Sequence, residues 1–225
     1  MAAATPLTRP IKVSRLVRRR LKDLQRSPQE LAEAVQVPER YITDLLAGRR
    51  RPPAPGRTDV YDRMTKFLRL HRNDLPTCAR AEREGTKASG RRPNARVREL
   101  LLGLCGPATV PAVTRRLAAS RDAGALEILI AERILEVAQG YVRHQLSDEV
   151  GIRVAASRED LTFVEMRMRL LDFLDATPSS LTVDDHETFV RPRIERWDID
   201  LETNAMRIVL RSNDPEPRQR RSLRL

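Results

Sequence analysis

Residues 27–53 read SPQELAEAVQVPERYITDLLAGRRRPP and carry the signals for two short helices joined by a tight turn. Ser27 suits a helix N-cap, and Glu30, three residues later, completes a capping box with it. Pro38 begins a second helix, and Gly48 supplies the left-handed position at which that helix ends. The stretch therefore predicts a helix–turn–helix, whose two helices are too short to be stable without neighbours.

The apolar residues around this turn recur at helical spacing, so each predicted helix has one apolar face. Those of the two central helices are Leu31, Ala32, Val35, Ile42, Leu45 and Leu46. Similar spacing predicts a helix over residues 13–24 before the pair and another over residues 58–70 after it. Four amphipathic helices of this length can close one compact core over residues 12–72.

Three short motifs in this segment identify a family resemblance. They are the S-x-x-E-L-A opening at residues 27–32, the Y-I-x-x-L core at residues 41–45 and the G-R-R-x-P exit at residues 48–52. The segment resembles the phage repressor/Cro-type helix-turn-helix of the XRE family of bacterial regulators. Two positions depart from that family. Gln36 stands where a glycine usually provides a left-handed turn, and Pro28 stands where a polar residue is common.

The resemblance implies that the second helix of the pair lies in the major groove of DNA. Its exposed residues Glu39, Arg40, Thr43 and Asp44 are then candidates for base contacts, with Gln29 on the preceding helix. Arg40 can bind guanine O6 and N7, and Glu39 or Asp44 can accept a hydrogen bond from cytosine N4. The alternative is that Arg40 reaches a phosphate and that the acidic residues aid solubility or orient the arginine.

A run of arginines follows the predicted groove helix, where the duplex backbone would pass. Arg49, Arg50 and Arg51 are candidates for phosphate contacts, as are Arg18 and Arg19 on the first helix. Phosphate contacts set affinity and register without reading the base sequence. The alternative is that the run is simply a solvated loop.

The positive charge of the chain is concentrated in its first third. Residues 1–72 contain 17 basic and 7 acidic residues, whereas residues 95–211 contain 16 basic and 19 acidic residues. This asymmetry is typical of a phosphate-binding module joined to a nearly neutral domain. An aromatic content of 4% argues against a platform that stacks single-stranded bases or RNA.

Beyond the motif segment, residues 73–94 read as a linker with one short helix near residues 78–84, because charged and small residues dominate. Helical spacing resumes near Arg96. Residues 126–142 are the most apolar stretch, which predicts either a core helix or a dimer interface. Residues 157–160 predict the cap of a last helix that ends near residue 175.

Near the end of the chain the pattern alternates between apolar and charged residues. Residues 196–210 predict a β-hairpin around residues 202–205, which must pack on the helices or on a second subunit. We expect residues 1–11 to be a disordered tail and residues 212–225 to be a basic disordered tail. The predicted fold class is mainly α. A repressor-like helix-turn-helix bundle and a linker precede a helical domain over residues 95–211 that ends in a hairpin.

The sequence contains few signals for a catalytic or metal-binding site. The three histidines are isolated, and there is no glycine-rich phosphate loop. Residues 184–187, Asp-Asp-His-Glu, can bind a metal, but a polar loop before a strand is the simpler interpretation. Cys78 and Cys105 are far apart, so we expect no disulfide and a small buried apolar role for Cys105. We expect no catalytic residues, no cofactor and no metal.

The sequence thus predicts a DNA-binding regulator of transcription, most simply a repressor. It would bind double-stranded DNA as a homodimer, with the second half holding the dimer or sensing a partner. The alternative is an assembly protein that the helix-turn-helix anchors to phage, plasmid or chromosomal DNA while the second half recruits another protein. An apolar secretory segment and a membrane span are both missing, so we expect a bacterial cytoplasmic protein associated with the nucleoid.

Overall fold

The computed structural model describes residues 12–56, 58–85, 92–119 and 123–211. It confirms a mainly helical fold with one small antiparallel sheet near the end of the chain. The predicted tails at residues 1–11 and 212–225 and residues 86–91 of the predicted linker lie outside the described residues. None of the described helices is long and apolar enough to cross a membrane.

Eleven α-helices, one π-helical segment and two strands make up the described part of the chain. The first five helices form the N-terminal half: α1 (Val13–Asp23), α2 (Pro28–Val35), α3 (Glu39–Ala47), α4 (Val60–Phe67) and α5 (Asp74–Gly85). The C-terminal half contains α6 (Ala95–Gly103), α7 (Val110–Ala119), α8 (Ala123–Leu146), α9 (Glu149–Arg158), α10 (Phe163–Asp175), α11 (Val183–Asp185), the π-helix His186–Val190, β1 (Ile194–Ile199) and β2 (Met206–Leu210).

The two central helices begin and end where the sequence predicts. Ser27 Oγ accepts a hydrogen bond from the Glu30 amide at 3.1 Å, and the Ser27 amide donates to Glu30 Oε2 at 2.7 Å. Gln36 adopts the left-handed conformation with φ 60° and ψ 50°, and Gly48 does so with φ 74°. The turn therefore keeps the backbone that glycine usually provides, at a cost in strain for glutamine.

Helix α5 contains the short helix predicted near residues 78–84 and corrects the predicted linker over residues 74–77. It extends over twelve residues, and its Leu75 and Ala79 are fully buried against α1 and α4. The Val13 amide at the start of α1 donates to Glu82 Oε2 on α5 at 3.1 Å. The many charged residues of this stretch lie around a narrow apolar stripe, so composition alone suggested a linker where the chain forms the fifth helix of one core.

The most apolar stretch of the chain forms α8, the central helix of the C-terminal half. Ile130, Ala131, Ile134, Leu135 and Ala138 are each no more than 3% exposed within a single chain. The neighbouring helices of the same chain cover this face, in particular α10, α7, α9 and α6. Of the two alternatives for this stretch, the structure thus gives this face of α8 as the buried face of a core helix, while Leu126, Ile128, Leu129 and Val137 stay half-buried.

The predicted cap of the last long helix is also wrong. Residue 157 lies inside α9, and Asp160 has a φ of 55° just after that helix ends. The cap of α10 is Thr162, whose Oγ1 accepts from the Glu165 amide at 3.2 Å in a second capping box. Two adjacent stretches both had capping residues, and only packing decided which one starts the helix.

The predicted β-hairpin is confirmed. Strands β1 and β2 pair antiparallel, and Asp198 lies opposite Arg207 as an acidic–basic cross-strand pair. Trp197 is fully buried, and its Nε1 donates to the Leu101 carbonyl at 2.7 Å. The Trp197 amide also donates to the Leu104 carbonyl at 2.9 Å. The hairpin is therefore stabilised by the helices of its own chain.

The two halves meet along a row of arginine–carboxylate pairs, which we call the junction. Its pairs are Arg167–Asp59 at 2.7 Å, Arg83–Asp175 at 2.8 Å, Arg63–Glu149 at 3.2 Å and the close pair Arg50–Asp172. The Arg167 side chain is fully buried, whereas Asp59 is 32% exposed. Both halves also share one continuous hydrophobic core. The described helices therefore pack as one connected body.

Candidate nucleic-acid interface

Helix α3 presents one continuous outward face, which we call the α3 outer face. It consists of Glu39, Arg40, Thr43, Asp44 and Ala47, which recur at helical spacing. The opposite side of the helix is buried in the core of the N-terminal half. The core therefore fixes the orientation of α3, and its outer face is accessible to a large partner.

Asp44 lies between the two exposed arginines of this surface. Its Oδ1 is 2.7 Å from Arg49 Nε, and its Oδ2 is 3.7 Å from Arg40 Nε. Arg40 is 91% exposed and Arg49 is 67% exposed, whereas Asp44 is only 26% exposed. The carboxylate thus holds the Arg49 guanidinium by a hydrogen bond and lies near that of Arg40, and both arginines stay accessible to solvent.

The remaining candidates for base contacts take different roles. Glu39 is exposed in the first turn of α3. Thr43 is half-buried, and its Oγ1 donates back to the Arg40 carbonyl at 3.0 Å. Gln29 is exposed on α2, where its Nε2 donates to Glu33 Oε1 at 3.2 Å. The structure therefore brings four of the five candidates onto one helix face and places Gln29 on the preceding helix.

Arg50 turns away from this face toward the C-terminal half. Its guanidinium carbon lies 4.4 Å from the centroid of the Tyr41 ring, and its Nη2 donates to Asp172 on α10. Burial raises the pKa of the Tyr41 hydroxyl, which Arg50 opposes. Only 27% of the Arg50 side chain is exposed. The run of three arginines is thus divided, because Arg49 lies beside the α3 outer face and Arg50 belongs to the junction.

Arg51 also turns inward. Its Nη2 donates to the Arg83 carbonyl on α5 at 3.3 Å. Arg83 in turn donates to the Pro52 carbonyl at 2.6 Å and to Asp175 at 2.8 Å. Burial raises the pKa of Asp175, which Arg83 opposes. These contacts hold the exit of the G-R-R-x-P motif against α5 and α10.

The two candidates on α1 are both exposed, but they differ in their contacts. Arg18 donates through Nη2 to the Leu46 carbonyl in the last turn of α3. A cation at this end of a helix also interacts favourably with the negative end of the helix dipole. The sequence reading did not foresee this cap, since it joins residues far apart in the chain. Arg19 is exposed on the same helix. Arg18 thus anchors α3, and Arg19 is available at the surface.

The described residues contain no cluster of three or more histidine, cysteine, aspartate or glutamate side chains that could hold a metal ion. Residues 184–187 form helical turns instead of the expected polar loop. His186 is 2% exposed, with Nδ1 3.4 Å from Glu187 Oε1. Burial lowers the pKa of His186, which Glu187 opposes. Burial raises the pKa of the Cys105 thiol to about 11, which disfavours a reactive thiolate.

Comparisons with known proteins add no relative from which the role of these residues could be inferred. The chain matches no family model, no curated protein and no solved structure.

Proposed function

We propose that this chain binds double-stranded DNA in a sequence-specific manner and regulates transcription. The reading unit is α2 and α3, with α3 in the major groove, as the resemblance of residues 12–72 to the phage repressor/Cro-type family implies. The chain then acts most simply as a repressor.

The observation that carries this proposal is the α3 outer face. Arg40 is 91% exposed near the start of a helix whose other side is anchored in a core. A helix that is fixed by a core and projects an exposed arginine from its N-terminal turns can bring that arginine to guanine O6 and N7. In this proposal Arg40 reads a guanine, while Glu39, Thr43, Asp44 and Gln29 contact neighbouring base edges or orient the arginine.

Fewer arginines are free to contact phosphates than the sequence alone suggested. Arg49 and Arg19 are exposed in the N-terminal half, and Arg18 is exposed as well. Arg50 and Arg51 have intramolecular partners on the side of α5 and α10. We therefore assign the backbone contacts to the exposed Arg49 and Arg19, assign Arg18 to the end of α3, and assign Arg50 and Arg51 to holding the two halves together.

We further propose that the chain binds DNA as a homodimer. Proteins with this reading unit commonly pair two half-sites about one helical turn apart. We do not place the dimer contact on the buried face of α8, because helices of the same chain cover that face. The C-terminal half then holds the second copy, or a protein partner, through another surface. The location that follows is the bacterial cytoplasm, on the nucleoid.

The deciding experiment is selection of bound fragments from a random duplex library with the full chain. We expect recovery of a short motif with a guanine in each half-site. Titrations at matched salt should then give an affinity for that motif at least about 10³-fold above random DNA. Equal affinity for all duplexes would instead favour the alternative of a DNA-anchored assembly protein. If the chain binds neither a selected motif nor random duplex DNA, both proposed functions are contradicted.

A further inference from the structure

The two edges of the β-hairpin differ in whether the chain itself covers them. Strands β1 and β2 form a two-stranded sheet. The outer edge of β1 is covered, because the Trp197 amide donates to the Leu104 carbonyl at 2.9 Å and the Gly106 amide donates to the Trp197 carbonyl at 2.8 Å. Among the described residues, no backbone hydrogen bond reaches the outer edge of β2.

The hydrogen bonds of the hairpin show which backbone groups of β2 point away from β1. The Arg211 amide donates to the Arg193 carbonyl at 2.8 Å, and the Asp200 amide donates to the Ala205 carbonyl at 2.9 Å. Residues 205 and 211 therefore face β1, and the register shift of the pair lies on β1, so the alternation along β2 is unbroken. The backbone groups that face outward belong to Met206, Ile208 and Leu210.

The side chains along this edge form an apolar row. Met206 and Ile208 pack against the core, and Ile208 lies opposite the buried Trp197. Leu210 follows on the same face and is 41% exposed. Natural sheets block a free edge with a proline, a bulge or a charge. Strand β2 contains no proline, and its one charged residue, Arg207, has its side chain on the other face, so the edge is open to another strand.

We propose that β2 pairs antiparallel with β2 of a second copy of this chain, about a two-fold axis through Ile208. In this register Ile208 faces its own counterpart, and Met206 faces Leu210 of the second copy. The outward amide and carbonyl of each of these three residues then form hydrogen bonds across the axis, and the two hairpins become one four-stranded sheet. The exposed Leu210 is covered by the apolar row of the second copy.

The charges along β2 select this register and favour a second copy as the partner. With the axis through Ile208, Arg207 faces Val209 of the second copy and Arg211 faces Ala205. An axis through Arg207 would place this residue opposite its own counterpart, and an axis through Val209 would place Arg207 opposite Arg211. Like charges directly opposite each other destabilise a strand pair. Of these three registers, the axis through Ile208 alone makes the edge complementary to itself, as a two-fold interface requires.

The first test measures the oligomeric state of the full chain without DNA by sedimentation equilibrium. A five-residue edge is smaller than a standard protein interface, so we expect a monomer–dimer equilibrium with a dissociation constant in the micromolar range. Leu210→Pro removes one outward amide without removing a hydrogen bond to β1, and Leu210→Lys adds a charge to the apolar row. Each variant should weaken the dimer by at least about tenfold.

Val150→Lys is the control, because Val150 is an apolar residue that is 68% exposed on α9, and it should leave the dimer unchanged. A chain that stays monomeric at high micromolar concentration would overturn the proposal. A dimer that both Leu210 variants leave intact would overturn it as well.

Cysteine cross-linking tests the register. In the proposed pair the Cα atoms of Arg207 in one copy and Val209 in the other are about 4.5 Å apart, which is within reach of a disulfide bond. A mixture of the Arg207→Cys and Val209→Cys chains should therefore cross-link on mild oxidation, whereas neither variant should cross-link with itself. The unsubstituted chain, with Cys78 and Cys105, gives the background. A variant that cross-links with itself, or a mixture that does not cross-link, would overturn the register.

The final test adds DNA, and the link between this dimer and DNA rests on the proposed function. A duplex with two copies of the selected half-site should bind the full chain at least about tenfold more tightly than it binds Leu210→Pro, whereas both should bind a single half-site equally. A chain that dimerises through β2 but binds no DNA would contradict the proposed function alone. A monomeric chain that still selects a DNA motif would contradict the β2 dimer and leave sequence-specific binding in place.

Discussion

At the residue scale, Asp44 lies between the two exposed arginines of the α3 surface and holds one of them, Arg49. Its carboxylate is 2.7 Å from Arg49 and 3.7 Å from Arg40, on a surface open to solvent. Exposed ion pairs contribute less than about 1 kcal/mol to folding stability. The main effect here is to hold the Arg49 guanidinium beside the α3 outer face, whereas Arg40 is too far from the carboxylate for a hydrogen bond.

Replacing Arg40 with alanine tests base reading directly. Because Arg40 is exposed and the buried side of α3 is unchanged, we expect folding stability to change by less than about 0.5 kcal/mol. Binding to the selected duplex should weaken by about 1–3 kcal/mol with relaxed discrimination at one base pair, and binding to random DNA should weaken much less. Fluorescence anisotropy at matched salt measures both.

Arg133→Ala is the matched control, since Arg133 is exposed on α8 and pairs only with the nearby Glu136 among the described contacts. It removes the same charge far from the α3 outer face. An equal loss on all duplexes after Arg40→Ala would mark Arg40 as a phosphate contact.

The division of the arginine run predicts different phenotypes for adjacent residues. Arg49→Ala should flatten the slope of log affinity against log salt by up to about one unit, with little change in stability. Arg50→Ala should leave the salt slope nearly unchanged and lower the melting temperature, because it removes the contacts with Tyr41 and Asp172. Salt titrations and thermal unfolding of both variants provide the comparison. A flattened slope for Arg50→Ala would show that Asp172 yields this arginine to DNA.

At the element scale, the turn between α2 and α3 depends on one left-handed residue. Gln36 has φ 60° and ψ 50°, in a region that costs side-chain-bearing residues about 1–2 kcal/mol. The strain persists because the capping box at Ser27 and the buried faces of α2 and α3 fix both ends of the turn. The turn angle that presents α3 thus comes from its neighbours rather than from the preference of residue 36.

Replacing Gln36 with glycine should stabilise the chain by about 0.5–1 kcal/mol. The substitution relieves the left-handed strain, and the gain is reduced by the larger entropy that glycine has in the unfolded chain. Ala34→Gly is the control, because residue 34 lies inside α2 and should lose about 1 kcal/mol there. Urea unfolding measures both variants. A loss of stability for Gln36→Gly would mean that the glutamine side chain contributes more than its backbone costs.

At the scale of the whole molecule, the junction makes two charge-distinct halves into one body. Arg167 is fully buried, and its Nη2 donates to both carboxylate oxygens of Asp59, at 2.7 and 2.9 Å. An ion pair with one fully buried partner adds little net stability, but loss of Asp59 leaves the charge of Arg167 in the interior without its carboxylate. The junction therefore specifies how the halves meet more than it increases stability.

Asp59→Ala should lower the free energy of unfolding by about 3 kcal/mol, because Arg167 stays buried without its carboxylate. Adding Arg167→Met should recover most of that loss. The only tryptophan, Trp197, lies in the C-terminal half, so its fluorescence can be compared with far-UV circular dichroism during urea unfolding. Asp62→Ala, at an exposed site on α4, is the control and should change little. A double variant no more stable than Asp59→Ala would contradict this account of the junction.

Local signals in the sequence determined most of the elements. The capping box at Ser27, the stop at Gly48 and the alternation around Trp197 act within one helical turn or one strand, so they can be read from neighbouring residues. The same signals predicted too short a helix at residues 74–85, where a narrow apolar stripe was hidden among charges. They also failed at residues 157–160, where two possible caps stood side by side.

Only the tertiary structure shows which residues pair when they are far apart in the sequence. Arg49 and Arg50 are adjacent and chemically identical, yet Arg49 pairs with Asp44 and Arg50 with Asp172, which is 122 residues away. Likewise, the apolar pattern of α8 predicted a face that must be covered but could not identify the cover. A sequence pattern shows which side chains must be buried or paired. The packing of the helices in three dimensions then decides which residue covers or pairs with each of them.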